Sequence, residues 1–161
     1  SRLGGVRFNV SLPTRRPGPI RDASAPEDVA KRVRDWSRGK DIMVVEDDSV
    51  ARLAIATVLE SRFGMRVVVA VDGVEALQLF ETHACDMVVT DYSMPNFNGA
   101  QFVALLRESG FRPPIIAITS VDEPAVHDQL LECGANAVLS KPLTETAFIS
   151  ALSSAIPALN A

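Results

Sequence analysis

From Ile42 onward, short and continuously apolar runs alternate with longer stretches of mixed polarity. The runs cover residues 42–45, 67–71, 87–89, 115–118 and 137–139. Each is too short for an amphipathic helix and apolar at successive positions, as parallel strands covered on both faces are. The stretches between them carry helical spacing. Ser49–Phe63 places Val50, Leu53, Ala54, Thr57 and Val58 on one face, and Gly64 stops the helix. Residues 73–82, 99–109, 123–133 and 144–155 read in the same way, with Gly110 and Gly134 just past two of the ends. Parallel strands need crossover helices, so five strand–helix units predict a doubly wound α/β sandwich.

The first forty residues have a different character. Pro13, Pro17, Pro19 and Pro26, with Arg15, Arg16 and Arg21, make a poor core and read as a linker over residues 15–39. Within it, Ser24 and Glu27 have capping-box spacing around Pro26, followed by Val29, Val33 and Trp36 at i, i+4 and i+7. This predicts a short amphipathic helix over Pro26–Ser37, lying on the surface of the domain.

Composition narrows the function. Of 161 residues, 47% are apolar, enough to fill a core, and the formal net charge of -4 argues against nucleic-acid binding through a broad basic face. Cys85 and Cys133, the two cysteines, lack metal-ligand spacing and read as packed thiols. His83 and His127 fall in helical patterns and read as solvent-facing. No signal peptide or apolar run of membrane length is present, so this piece is expected in the cytoplasm without membrane contact of its own. The missing initiator methionine points to a fragment of a longer protein, which could itself be membrane-anchored.

The residues at the carboxyl ends of the predicted strands are the unusual ones. The first strand ends in Glu46-Asp47-Asp48, the third in Asp91, the fourth in Thr119-Ser120 and the fifth in Ser140-Lys141-Pro142. In an open α/β sheet these ends border one crevice, where ligands bind. Two carboxylates about 5 Å apart repel by roughly 3 kcal/mol at an effective dielectric of 20. A raised pKa or a bound cation has to offset that repulsion. Oxygen donors without His or Cys suit Mg²⁺. Beside such a cation a phosphoryl group could be drawn onto Asp91, the central carboxylate, with Thr119 donating a hydrogen bond and Lys141 a positive charge. Asp48 reads as the N-cap of the following helix.

The segments "IMVVEDDSVAR", "VVTDYSMPNFNG", "IIAITS" and "VLSKPL", in this order and spacing, resemble the response-regulator receiver domain of two-component signalling over residues 40–157. The resemblance implies a flavodoxin-like (βα)5 fold with strand order 2-1-3-4-5. It implies Mg²⁺ held by Glu46, Asp47, the phosphoacceptor Asp91 and the backbone carbonyl of Ser93. Thr119 and Lys141 match the family's hydroxyl and lysine, and the Lys141–Pro142 bond should be cis. Implied partners are the phosphohistidine-bearing dimerisation domain of a histidine kinase and a histidine phosphotransfer protein. One position departs from the pattern. The family carries Tyr or Phe three residues before the lysine, and Val138 stands there.

"LGGVRFNVSLPT", residues 3–14, resembles the last strand of a histidine-kinase ATP-binding domain, and this resemblance implies a carboxyl-terminal receiver of a hybrid sensor kinase, with a short tail at 158–161. ATP-binding boxes and a phosphorylated-histidine motif are absent from the sequence, so the piece is read as a phosphoacceptor and not a kinase. Two other classes remain open. A receiver fold could dock a kinase without being phosphorylated, and a Mg²⁺-dependent phosphohydrolase could use the same Asp91. The haloacid-dehalogenase-like hydrolases carry a second Asp two positions on, where this chain has Ser93.

Overall fold

The computed structural model describes residues 26–160; the stretch resembling a kinase strand, residues 3–14, and the start of the linker lie outside the described residues. The elements alternate along the chain. They are α1 (Pro26–Ser37), β1 (Asp41–Val45), α2 (Ser49–Phe63), β2 (Arg66–Ala70), α3 (Gly73–Phe80), β3 (Met87–Asp91), α4 (Gly99–Glu108), β4 (Ile115–Thr119), α5 (Pro124–Glu132), β5 (Ala137–Ser140) and α6 (Glu145–Ala155), then a 3-10 turn over Pro157–Asn160. All strand pairings are parallel, in the order β2-β1-β3-β4-β5. This is the flavodoxin-like (βα)5 arrangement expected from the sequence.

Period-two alternation sorts the strand residues onto two faces. Ile42, Val44, Met87, Val89, Ile116 and Ile118 pack with α1, α2 and α6 on one side. Met43, Val45, Val88, Ile115 and Ala117 pack with α3, α4 and α5 on the other. The three central strands are buried on both sides, which is why each carries an unbroken apolar run of three or four residues.

Helix α2 corrects the sequence reading. Most of the predicted face of Val50, Leu53, Ala54, Thr57 and Val58 turns away from the sheet: Val50 and Leu53 are 76% and 69% exposed, and of the five only Val58 packs at the edge of the core. Ile55, Ala56, Leu59 and Phe63 are buried instead. The helix is apolar on both sides, and the side carrying the bulkier Ile55, Leu59 and Phe63 has taken the core, where more surface can be removed from water. Asp48 caps α2 as expected, its Oδ1 accepting from the Ala51 amide at 2.7 Å.

Helix α1 is docked on the domain. Val33 is fully buried in the cluster with Leu59 and Phe63 of α2 and Phe148 and Leu152 of α6, and Val29 and Trp36 pack against its edge. Arg34 pairs with Glu145 at the start of α6, and Arg62 of α2 lies 4.0 Å from the same carboxylate. Among the described residues no helix is long and apolar enough to cross a membrane.

Candidate functional site

The crevice at the carboxyl edge of the sheet is assembled by the strand ends themselves. Glu46 follows β1, Asp91 and Thr119 are the last residues of β3 and β4, and all three are buried. Lys141 follows β5, placed by its amide on the Thr119 carbonyl at 2.9 Å, and the Lys141–Pro142 peptide bond is cis. Its ammonium nitrogen lies 2.8 Å from Glu46 Oε2 and 3.1 Å from Asp91 Oδ2. Residues separated by almost a hundred positions thus meet because the crossover topology brings every carboxyl end to the same edge.

Carboxylate oxygens of Glu46, Asp47 and Asp91 all lie within 4.8 Å of one another. Glu46 and Asp91 are enclosed, and Asp47 faces solvent at the mouth. Burial pushes the Glu46 carboxyl up to about 7, with the nearby Asp91 adding to the shift and Lys141 and the Asp48 amide opposing it. Burial also acts against the Lys141 charge, but Glu46 and Asp91 outweigh it and hold the ammonium above its ordinary pKa. One lysine therefore answers three carboxylates. An all-oxygen cluster of this kind, still short of positive charge, fits a hard divalent cation, with the mouth open to solvent at Asp47.

Local contacts orient the parts. Asp91 Oδ1 accepts from the Ser93 amide at 3.3 Å, and Glu46 Oε1 from the Asp48 amide at 3.1 Å. Thr119 Oγ1 accepts from the Val121 amide at 2.9 Å, which leaves its hydroxyl hydrogen available to a group in the crevice. Ser93 itself is exposed at the rim. Every residue expected at the site from the sequence, Glu46, Asp47, Asp91, Ser93, Thr119 and Lys141, is therefore at or beside one crevice.

Three features were not legible beforehand. Arg52, one turn into α2, donates from Nη1 to the backbone carbonyls of Glu46 at 2.9 Å and Asp47 at 3.4 Å. Gly99, noted in sequence only as the start of a helix, gives its amide to the Tyr92 carbonyl at 2.7 Å. A Cβ there would strike the Asp91 carbonyl oxygen and come within 2.8 Å of Tyr92 Cα. Gly99→Ala should therefore push the end of β3 and cost about 2 kcal/mol, as overpacking typically does, read as a lower urea midpoint at unchanged m-value. A midpoint equal to the parent's would show that the loop yields freely. Finally, His127 is half-buried and its Nε2 is enclosed without a hydrogen-bond partner, so only His83 faces solvent as expected. Val138 packs in the cluster beneath α4 and α5.

A flavodoxin-like sheet with a lysine-crossed acidic crevice at its carboxyl edge is the arrangement of a receiver domain. Consistent with this, the family model described as the response regulator receiver domain matches residues 42–153, and the chain belongs to that family. It is 33% identical over 107 residues to the Regulator of RpoS of Escherichia coli (strain K12), covering 66% of this chain and 32% of that protein. It is 34% identical over 103 residues to the Sensor histidine kinase RcsC of Salmonella typhimurium, covering 64% of this chain and 11% of that protein. The chain thus spans a third or less of these relatives' length. Among solved structures, the receiver domain of the Francisella response regulator 1452 superposes with a TM-score of 0.66 at 27% identity, over 74% of this chain and 99% of that one.

Proposed function

We propose that this receiver domain accepts a phosphoryl group from phosphohistidine onto Asp91, in a His–Asp phosphorelay. The observation that carries the reading is the Asp91 carboxylate, held at the end of a central strand with Lys141 at 3.1 Å and two further acids beside it. In the transfer, a lone pair of an Asp91 carboxylate oxygen forms the new O–P bond. The P–N bond to the imidazole breaks and its electron pair returns to the ring nitrogen. Lys141 and the Thr119 hydroxyl take up the charge on the phosphoryl oxygens, where fixed donors are most effective. Glu46, Asp47, Asp91 and the Ser93 carbonyl would hold Mg²⁺, which when bound supplies positive charge to the same oxygens.

The donor side of the reading is supported by the surface beside the site. Val50 and Leu53 stand exposed on the first turns of α2. Next to them Ala51, Ala54, Ile55, Val58, Pro142 and Leu143 form a largely apolar groove of about 300 Å³ that reaches Lys141. This surface suits an amphipathic helix presenting a histidine, as in a kinase dimerisation domain or a histidine phosphotransfer protein. The likeness to a sensor histidine kinase supports placing the receiver, residues 40–157, in one chain with a kinase core, to which residues 1–14 would belong.

Intact-mass spectrometry after incubation with Mg²⁺ and acetyl phosphate tests the reading. The parent should gain one phosphoryl adduct, and Asp91→Asn, or the parent without Mg²⁺, should gain none. No adduct on folded parent protein would leave a docking receiver that keeps the site unused.

A further inference from the structure

We propose that Arg52 is a positioning residue, whose guanidinium holds the backbone of the acidic pair so that Glu46 and Asp47 can share one divalent cation. This rests on the reading of Glu46, Asp47 and Asp91 as a cation site. The strand ladders of β1 with β2 and with β3 end at Val45, so the carbonyls of Glu46 and Asp47 lie past the last sheet pairing. Arg52 reaches back from α2 and donates from Nη1 to both, at 2.9 and 3.4 Å.

The location of the arginine argues that this contact is its purpose. Arg52 is the fourth residue of α2, whose first turn carries no acidic residue. The amino-terminal turn of a helix disfavours positive charge because of the helix dipole. An arginine here is unfavourable for the helix alone and becomes favourable through the two carbonyls it meets. Its planar, permanently charged donor fork is also suited to holding a fixed geometry, which a lysine would hold less well.

The two acids are held in different ways. The Glu46 carboxylate is fixed by burial, by Lys141 and by the Asp48 amide. Asp47 is exposed, and the strongest restraint on where its side chain starts is the main chain that Arg52 grips. Loss of Arg52 should therefore loosen the main chain at Glu46–Asp47 and displace the exposed Asp47 further than the buried Glu46 carboxylate. The cation would then meet an unassembled site, and ordering the loop would weaken its binding. A guanidinium that acted on the cation through its charge alone would repel Mg²⁺, and its removal would tighten binding, so the sign of the change separates the two roles.

Isothermal titration of Mg²⁺ into the parent, Arg52→Met and Arg52→Lys decides between these. Arg52→Met should weaken Mg²⁺ about 10-fold, the size typical for groups that orient metal ligands, and Arg52→Lys should recover part of the loss. Arg62→Met, on the same helix and 4.0 Å from Glu145, should leave the affinity unchanged. In Mg²⁺-free protein the Asp48 amide, which donates to Glu46 Oε1, should exchange with deuterium faster in Arg52→Met than in the parent. An equal or tighter Mg²⁺ affinity in Arg52→Met would overturn the positioning role. A parent that binds no Mg²⁺ would overturn the cation reading instead, and unchanged exchange of the Asp48 amide would then overturn the positioning as well.

Discussion

Lys141→Met is expected to slow phosphorylation of Asp91 by about 100-fold, the scale on which removal of one fixed donor to a reacting oxygen is felt. The side chain of methionine keeps the volume of the lysine stem, so the change removes charge and donors from a position 2.8 Å from Glu46 and 3.1 Å from Asp91. The same substitution should not weaken Mg²⁺. Lys141 and a divalent cation neutralise the same carboxylates, and without the lysine the crevice is more negative. A slower reaction with equal or tighter Mg²⁺ binding would separate charge on the transferring group from charge on the metal. Arg should be a poor replacement, because a planar fork does not occupy the place of a compact ammonium. An unchanged rate, followed by intact mass against time, would reduce Lys141 to a structural counter-ion for two buried acids.

The sequence carried this site because its residues are expensive where they stand. A carboxylate, a threonine or a lysine at the end of an apolar run has no packing reason to be there, and several such ends in one sheet must share an edge. What eluded the reading follows from a different physics. In α2, both Val50-Leu53-Ala54-Thr57-Val58 and Ile55-Ala56-Leu59-Phe63 have helical spacing, so periodicity alone could not choose; the contest was settled by which stripe the sheet and α6 could enclose. The exposed stripe was left apolar next to Lys141, where a partner rather than the core can use it. Arg52 was invisible for another reason. Its partners are backbone carbonyls, which have no letter in a sequence, and only the fold shows that two of them lack a ladder. Gly99 is similar: its value lies in the closeness of the Asp91 backbone, which no spacing rule reports.

Val33→Asp in α1 is expected to destabilise the domain by about 4 kcal/mol, among the largest effects a single substitution outside the site should have. Val33 has no exposed surface and touches a cluster drawn from α2, α6 and the central strands. A charge there is desolvated among the apolar side chains of α2, α6 and the sheet. Val29 and Trp36 pack only at the edge of that cluster, so Val33 is the centre of the attachment. The pair of Arg34 with Glu145 is part-exposed, and such pairs contribute about 1 kcal/mol or less. The Arg32 contact to the Leu159 carbonyl is long at 3.4 Å. Losing the Val33 contact should release α1 and uncover Leu59, Phe148 and Leu152 behind it, which is why the expected cost exceeds that of one valine. Urea unfolding of the parent, Val33→Asp and the exposed-site control Glu60→Ala in α2 measures this, with the control unchanged. If Val33→Asp unfolds at the parent's midpoint, α1 contributes nothing to the fold in solution and its docking carries no weight. If the midpoint falls as expected, residues 26–37 are part of the receiver's core, and whatever is joined to the amino end of this helix is tied to the α2–α6 face. Glu145, which Arg34 holds, begins the helix four residues after Lys141. A pull on α1 would then reach the acidic crevice through the start of α6.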